Sequence, residues 1–380
     1  MESLLKQLIE ENLQTQHSTL DLGPGSLIYD DDALELLEQC NHLHTLIFTS
    51  IMWREYDQGQ KTYEYKYGQS IPQNAFPNVL KQVPNCLPAS LKTLVLAGYI
   101  DGGGLISDIT ALAKLSQLQQ LHLNDNQVTD IRSLSKLRHL HYLDLNDNKV
   151  EDLQALAQCS QLQFLDLSVN HVQEVTPLAK LTHLWFLDVG RNQIEDITAL
   201  SGLTRLQELD LGKNQIEDIT PLAHLTQLVH LRLSQNQIKD VHTLAKLKAL
   251  KWLQLSNNFI EDVSPLAELK QLEVLYLFEN PLQDISCLKH LTQLTELHVY
   301  LDDLIYPPIW FALLKTKEGR VGDYAHLPEL PQVEKIWQLI KSRQKENIDL
   351  AWQVALGQGW TAAEFETYLQ LLDQLTQTLK

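Results

Sequence analysis

Basic charge is what this chain has least of relative to need: 30 Lys and Arg against 48 Asp and Glu give a formal net charge of −18. A nucleic-acid backbone asks for a basic stripe, so that class of partner is excluded, and anionic membrane surfaces are disfavoured on the same ground. Cysteine is scarce as well. Cys40, Cys86, Cys159 and Cys287 lie far apart with no Cys-x-x-Cys pair, which fits neither a disulfide framework nor a zinc site. No run approaches the ~20 apolar residues of a membrane span. The N-terminal MESLLKQLIEENLQTQ is charged throughout, without the basic and then apolar regions of a signal peptide. The expected compartment is therefore the cytoplasm. A basic partner is the easier electrostatic match, although acidity also serves plain solubility.

What is present is repetition. Asn126, Asn148, Asn170, Asn192, Asn214, Asn236, Asn258 and Asn280 recur at one fixed interval of 22 residues. Each follows the same frame, as in Leu140-His-Tyr-Leu143-Asp-Leu145-Asn-Asp-Asn148. An aliphatic position comes next (Ile131, Leu153, Val175, Ile197, Ile219, Val241, Val263, Ile285). An acid stands before it every time, with Glu174 the single departure from aspartate. Leu134, Leu156, Leu178, Leu200, Leu222, Leu244, Leu266 and Leu288 then open a return segment.

The frame L-x-x-L-x-L-x-x-N-x-I-x-D-I-x-x-L resembles the bacterial leucine-rich repeat of internalin-type proteins. It is also similar to the repeats of a eukaryotic protein phosphatase 1 regulator. The resemblance implies an α/β fold: a leucine-rich-repeat solenoid, curved and right-handed, with a parallel β-sheet on the concave face and helical caps. Alternation in Leu143-Asp144-Leu145 agrees, turning leucines inward and the residue between them outward. One repeat cannot bury its own leucines, so stacked neighbours must close the core. The asparagine sits where the chain leaves the strand, and its amide can bond backbone groups of the turn and of adjacent repeats. The pairs Thr176-Pro177, Thr220-Pro221 and Ser264-Pro265 read as starts of short 3₁₀-like or α segments.

The expected organisation is an N-terminal capping helix over 1–17 and irregular repeats with an aromatic-rich insertion over 18–90. A regular solenoid over 91–305, a linker over 306–332 and a helical cap or docking segment over 333–380 follow. Leu20-Asp-Leu22, Leu46-Ile-Phe48 and Leu94-Val-Leu96 read as further strands of the sheet, and the alternating Tyr63 to Tyr67 run as one more. A Gly-rich bulge spans 97–104. The tail reads as helices over 333–343, 347–356 and from Thr361, which opens a capping box.

Candidate site residues come from the two outward rows of the strands. The row between the strand leucines carries Asp144, Asp166, Asp188, Asp210 and Arg232, and the row before the second leucine carries Tyr142, Phe164, Phe186 and Trp252. Tyr276 belongs to the first row. Like charges about 5 Å apart cost on the order of 1 kcal/mol per pair even in water. Either Leu-Asp-Leu is a tolerated spelling of a wet surface, or the aspartates select lysines and arginines of a partner. Rings exposed in a line are harder to dismiss, because aromatics dominate interface energetics.

No catalytic, cofactor or metal residue is expected. Asp144-Leu-Asn146-Asp-Asn148 opens like a calcium loop, yet Lys149 and Ala155 stand where glycine and glutamate are required. Gly-x-Ser-x-Gly is absent, and no cysteine follows Cys287 to serve a C-terminal ligase domain. The function expected is non-enzymatic protein recognition through the concave face by a monomer. The alternatives are a regulatory or targeting subunit of an enzyme such as a phosphatase, or a bacterial effector acting on a host protein.

Overall fold

A computed structural model describes residues 4–22, 31–48, 53–57, 62–66, 80–98, 104–282 and 284–299. The expected tail helices, the linker and the end of the ladder at Asp302 lie outside these residues. By backbone proximity the chain divides into two units, Met1–Asn214 and Gln215–Lys380.

The first unit opens with α1 (Leu4–Thr15), which buries Leu5 and Ile9 completely, as its apolar spacing predicts. Asn12 on the same helix is buried and ties it to the first strand, donating to the carbonyls of His17 and Thr19 at 3.1 and 3.3 Å. Strands β1 (Thr19–Asp21) and β2 (Thr45–Ile47) follow. A hairpin of β3 (Trp53–Asp57) and β4 (Thr62–Lys66) comes next, and then β5 (Thr93–Val95). The regular repeats supply β6 (Gln120–His122), β7 (Tyr142–Asp144), β8 (Phe164–Asp166), β9 (Phe186–Asp188) and β10 (Glu208–Asp210).

All except the hairpin pair in parallel and in register, so that Leu121, Leu143, Leu165 and Leu187 stand in one row. The second unit repeats the arrangement with β11 (His230–Arg232), β12 (Trp252–Gln254), β13 (Val274–Tyr276) and β14 (Glu296–His298). The run from Tyr63 does form a strand, but in a separate antiparallel pair with β3 rather than in the parallel sheet.

Each strand of the parallel pairings is three residues long, because the repeat frame allows only the Leu-x-Leu core before the chain must turn. Strand leucines such as Leu143 and Leu145 are fully buried, and so are return-segment leucines such as Leu134 and Leu156. The return segments are five-residue 3₁₀ turns, among them Thr176–Lys180, Thr220–His224 and Ser264–Glu268. Their start is fixed by the recurring acid. Asp130, Asp152, Asp196, Asp218, Asp240 and Asp262 each accept the N–H two residues on at 2.7–2.9 Å, satisfying a donor the short turn leaves orphaned. Those bonds hold the Asp240 and Asp262 carboxyls below the usual carboxylate range, with the His242 and Ser264 N–H groups as the main cause.

The asparagine ladder behaves as its position implied. Asn148 donates to the carbonyls of Leu123, Leu145 and Asn146 at 2.9–3.1 Å, and its own oxygen accepts the N–H of Val128 at 2.9 Å. One side chain thus closes its own turn and fastens the preceding repeat. The residue before each ladder asparagine turns left-handed, from Asp125 at φ 58° to Glu279 at 53°. In the Gly-rich bulge, a Cβ on Gly98 or Gly104 would stand 1.6 or 1.9 Å from the carbonyl oxygen of Asp125, so only glycine fits.

Candidate functional site

In the first unit the outward row before the strand leucine builds a column of rings. Register sets Tyr142 opposite Phe164 and Phe164 opposite Phe186. The ring centroids are 4.2 and 4.3 Å apart, with planes within 5° of parallel. Trp185 leans against Phe164 and Phe186 at 6.2 and 6.0 Å, and His122 caps the other end at 4.6 Å from Tyr142. The expectation that these rings are exposed anchors is corrected here. Tyr142, Phe164 and Phe186 are only 6, 2 and 7% exposed. The physical reason begins with the stacking, which covers both faces of the central ring, and Trp185 covers part of its edge.

Beside the column runs the acid row. Asp144 and Asp166 are buried, while Asp188 and Asp210 are half-buried. Each has a structural task that the sequence did not reveal. Their carboxylates accept the backbone N–H of Asn146, Ser168, Gly190 and Gly212 at 2.8–3.0 Å, closing the turn that leaves the strand. Recurrence of Leu-Asp-Leu is therefore explained by turn chemistry in all four repeats, and the like-charge cost is offset by a charge-assisted bond in each.

The second unit presents a different surface. Trp252 and Tyr276 are half-exposed, and their rings tilt against one another at 5.5 Å. Tyr276 stacks on His298 at 4.2 Å with planes 1° apart, and Phe278 meets His298 edge-on at 5.7 Å. Arg232 is exposed and lays its guanidinium 4.9 Å from the centre of the Trp252 ring. Expected residues thus fall into two groups, a buried column with an acid row in one unit and an open ring set with a cation in the other.

His122, Trp185, Phe278 and His298 extend these groups and were not among the candidates. The two histidines stand in the outward row between the strand leucines, where an aromatic reading of the row would have found them. Trp185 and Phe278 lie outside both rows, and no periodicity marks them.

Thiol chemistry finds no support at the described cysteines. Burial pushes Cys159 and Cys287 up to about 11, and Cys159 donates to the carbonyl of Leu134. Among the described residues, no three His, Cys, Asp or Glu side chains gather as metal ligands, and no helix is long and apolar enough to cross a membrane.

Family models agree with the architecture. The model for leucine-rich repeats in two copies matches residues 116–158, 160–202, 186–224, 204–246, 226–268 and 248–290. No curated protein matches the chain. Among solved structures, an internalin of Listeria monocytogenes is similar at 27% identity and a TM-score of 0.59, covering 78% of this chain and 89% of that one. A leucine-rich-repeat protein of Leptospira interrogans shares the fold at 20% identity and a TM-score of 0.51, covering 80% and 83%. The ectodomain of a plant receptor kinase from Arabidopsis thaliana does so at 22% and 0.56, covering 76% of this chain and 34% of that one.

Proposed function

This chain is a leucine-rich-repeat protein of the bacterial type, and on that premise we propose that it is a non-enzymatic module that binds a protein partner through the outward face of its parallel strands. The observation that carries the reading is the open ring set of the second unit. Trp252, Tyr276 and Arg232 are the three residue types that dominate interface energetics, and here they touch or adjoin one another on a rigid strand array. A tryptophan and a tyrosine left half in water lose apolar exposure on contact, and each ordered ring loses little further freedom. The net charge of −18 steers a basic partner toward the chain and repels acidic competitors.

The test is capture from lysate with mass-spectrometric identification, followed by titration of the purified partner. Trp252→Ala/Tyr276→Ala, at an unchanged melting temperature, is expected to weaken binding by ~2–4 kcal/mol, more than tenfold in Kd. Undiminished affinity in that variant would remove recognition from this face and end the reading.

A further inference from the structure

The turn that leaves each strand directs an N–H donor toward the outward row. In β7 to β10 the strand aspartate takes it. Ser168 shows the arrangement in full, giving both its N–H and its hydroxyl to the Asp166 carboxylate at 2.9 and 2.5 Å. Serine stands at the same turn position in two repeats of the second unit, as Ser234 and Ser256. There the strand residue two places earlier is Arg232 or Gln254, so neither repeat supplies a carboxylate of its own.

Both serines are left with donors and no acceptor. Their hydroxyl oxygens are closed to solvent and without a hydrogen-bond partner, and among the described residues neither N–H meets an acceptor. Unmet buried donors are unfavourable, so an acceptor brought here from outside gains the bonds that Ser168 already makes.

The two positions adjoin. Register sets Arg232 opposite Gln254, so Ser234 and Ser256 follow on neighbouring strands about 4.8 Å apart. A carboxylate has two oxygens with room for several donors, so one group can serve both serines. Charge favours it as well. The outward positions of β11 to β13 are His230, Arg232, Trp252, Gln254, Val274 and Tyr276, with a cation and no acid among them.

We propose that the outward face of β11–β13 receives an aspartate side chain of the protein partner. Its carboxylate takes the donors of Ser234 and Ser256 beside Arg232, and an apolar neighbour of that aspartate lies on Trp252 and Tyr276. The proposal rests on this face being the protein-binding one and adds what the partner must carry. Aspartate is the acid because Asp166 fills the same donors in the first unit. One acid within an otherwise basic segment also suits a chain of net charge −18.

A random-peptide display library, selected on the full chain, supplies the probe. Enriched peptides should share an aspartate beside an aromatic or aliphatic residue. Replacing that aspartate by asparagine in a synthetic peptide should weaken binding about tenfold or more. Gln254→Asp fills the Ser256 donors from within. It should raise the melting temperature by roughly 2–4 °C and bind the aspartate peptide no better than its asparagine form. Ser234→Ala/Ser256→Ala should melt as the native protein does and lose most of that discrimination.

A selection that enriches no acid-bearing peptide overturns the proposal, as does an aspartate peptide bound equally by the native chain and Gln254→Asp. If such peptides still lose affinity for Trp252→Ala/Tyr276→Ala, protein recognition by this face stands without the aspartate. Should Gln254→Asp melt lower than the native protein, the serine pair decides, and retained discrimination there refutes the site.

Discussion

Tyr142 lies flat on Phe164, ring centroids 4.2 Å apart and planes 4° from parallel. Isolated aromatic pairs prefer offset or edge-on contacts, so the repeat imposes this geometry. Parallel, in-register strands place equivalent Cβ atoms one strand spacing apart, and flat rings on that ladder have only their faces to offer one another. Phe164 is the central ring with a neighbour on each side. Phe164→Ala should cost about 3–5 kcal/mol in urea unfolding, with Phe164→Leu much milder. A loss below about 1 kcal/mol would show that the column is surface rather than core.

Asn148 should tolerate no isostere. Alanine there strands the Val128 N–H in the interior and takes from the Leu123 carbonyl one of its two amide donors, the other being Asn126, for about 1–3 kcal/mol. Asn148→Asp should be worse than Asn148→Ala despite its size, because it turns an oxygen toward three carbonyls in place of a donor. Thermal melts of the two variants separate these outcomes. Equal stability would mean that the amide serves shape alone.

The contrast with the acid row shows where legibility in the sequence stops. Leu143 and Leu145 announced a strand through their alternation, and Asn148 announced a turn through its recurrence, because both effects act within one repeat and its neighbour. The four strand aspartates were equally regular, yet regularity does not distinguish a carboxylate turned to a partner from one bonded to its own turn. Burial of Tyr142 and Phe164 was invisible for another reason. It depends on rings of neighbouring repeats stacking face to face and on Trp185 at their edge, and a 22-residue period says where a ring stands but not what packs on it. The antiparallel pairing of β4 was missed likewise, since alternation from Tyr63 to Tyr67 says strand and not which partner.

Glu174 is the natural exception among the capping acids. Its longer side chain makes no bond to the Thr176 N–H among the described residues, whereas Asp218 and Asp262 hold the equivalent Thr220 and Ser264 at 2.8 and 2.7 Å. Glu174→Asp should therefore stabilise by about 0.5–1 kcal/mol, and Asp218→Glu should lose a similar amount. Chemical denaturation of both variants checks the pair. Equal and unchanged midpoints would deny the aspartate its capping role.

Val169 carries the left-handed turn at φ 57°, where other repeats use Asp147, Arg191, Lys213 or Asn257. A β-branched side chain is crowded there by its own carbonyl, at roughly 1–2 kcal/mol. Val169→Asn should raise the melting temperature by about 2–4 °C. An unchanged melt would mean that contacts of the valine methyls offset the strain.

His122 makes the first unit sensitive to acid. The ring is buried, its Nδ1 has no hydrogen-bond partner, and burial holds it down to about 3 from an ordinary 6.5. Between those two values the unfolded chain binds a proton that the folded chain refuses, so stability is lost as pH falls through that window. The slope approaches about 1.4 kcal/mol per pH unit. Carboxylates such as Asp240, held low by their turn bonds, also lose stability on acidification, but they do so equally in a His122 variant. His122→Phe keeps a ring at the end of the column and should match the native protein at pH 7. At pH 5 it should be the more stable by about 2 kcal/mol, read from urea midpoints. An identical pH dependence would mean that folded His122 does take up the proton, with Asp144, its register neighbour on β7, as the counter-charge.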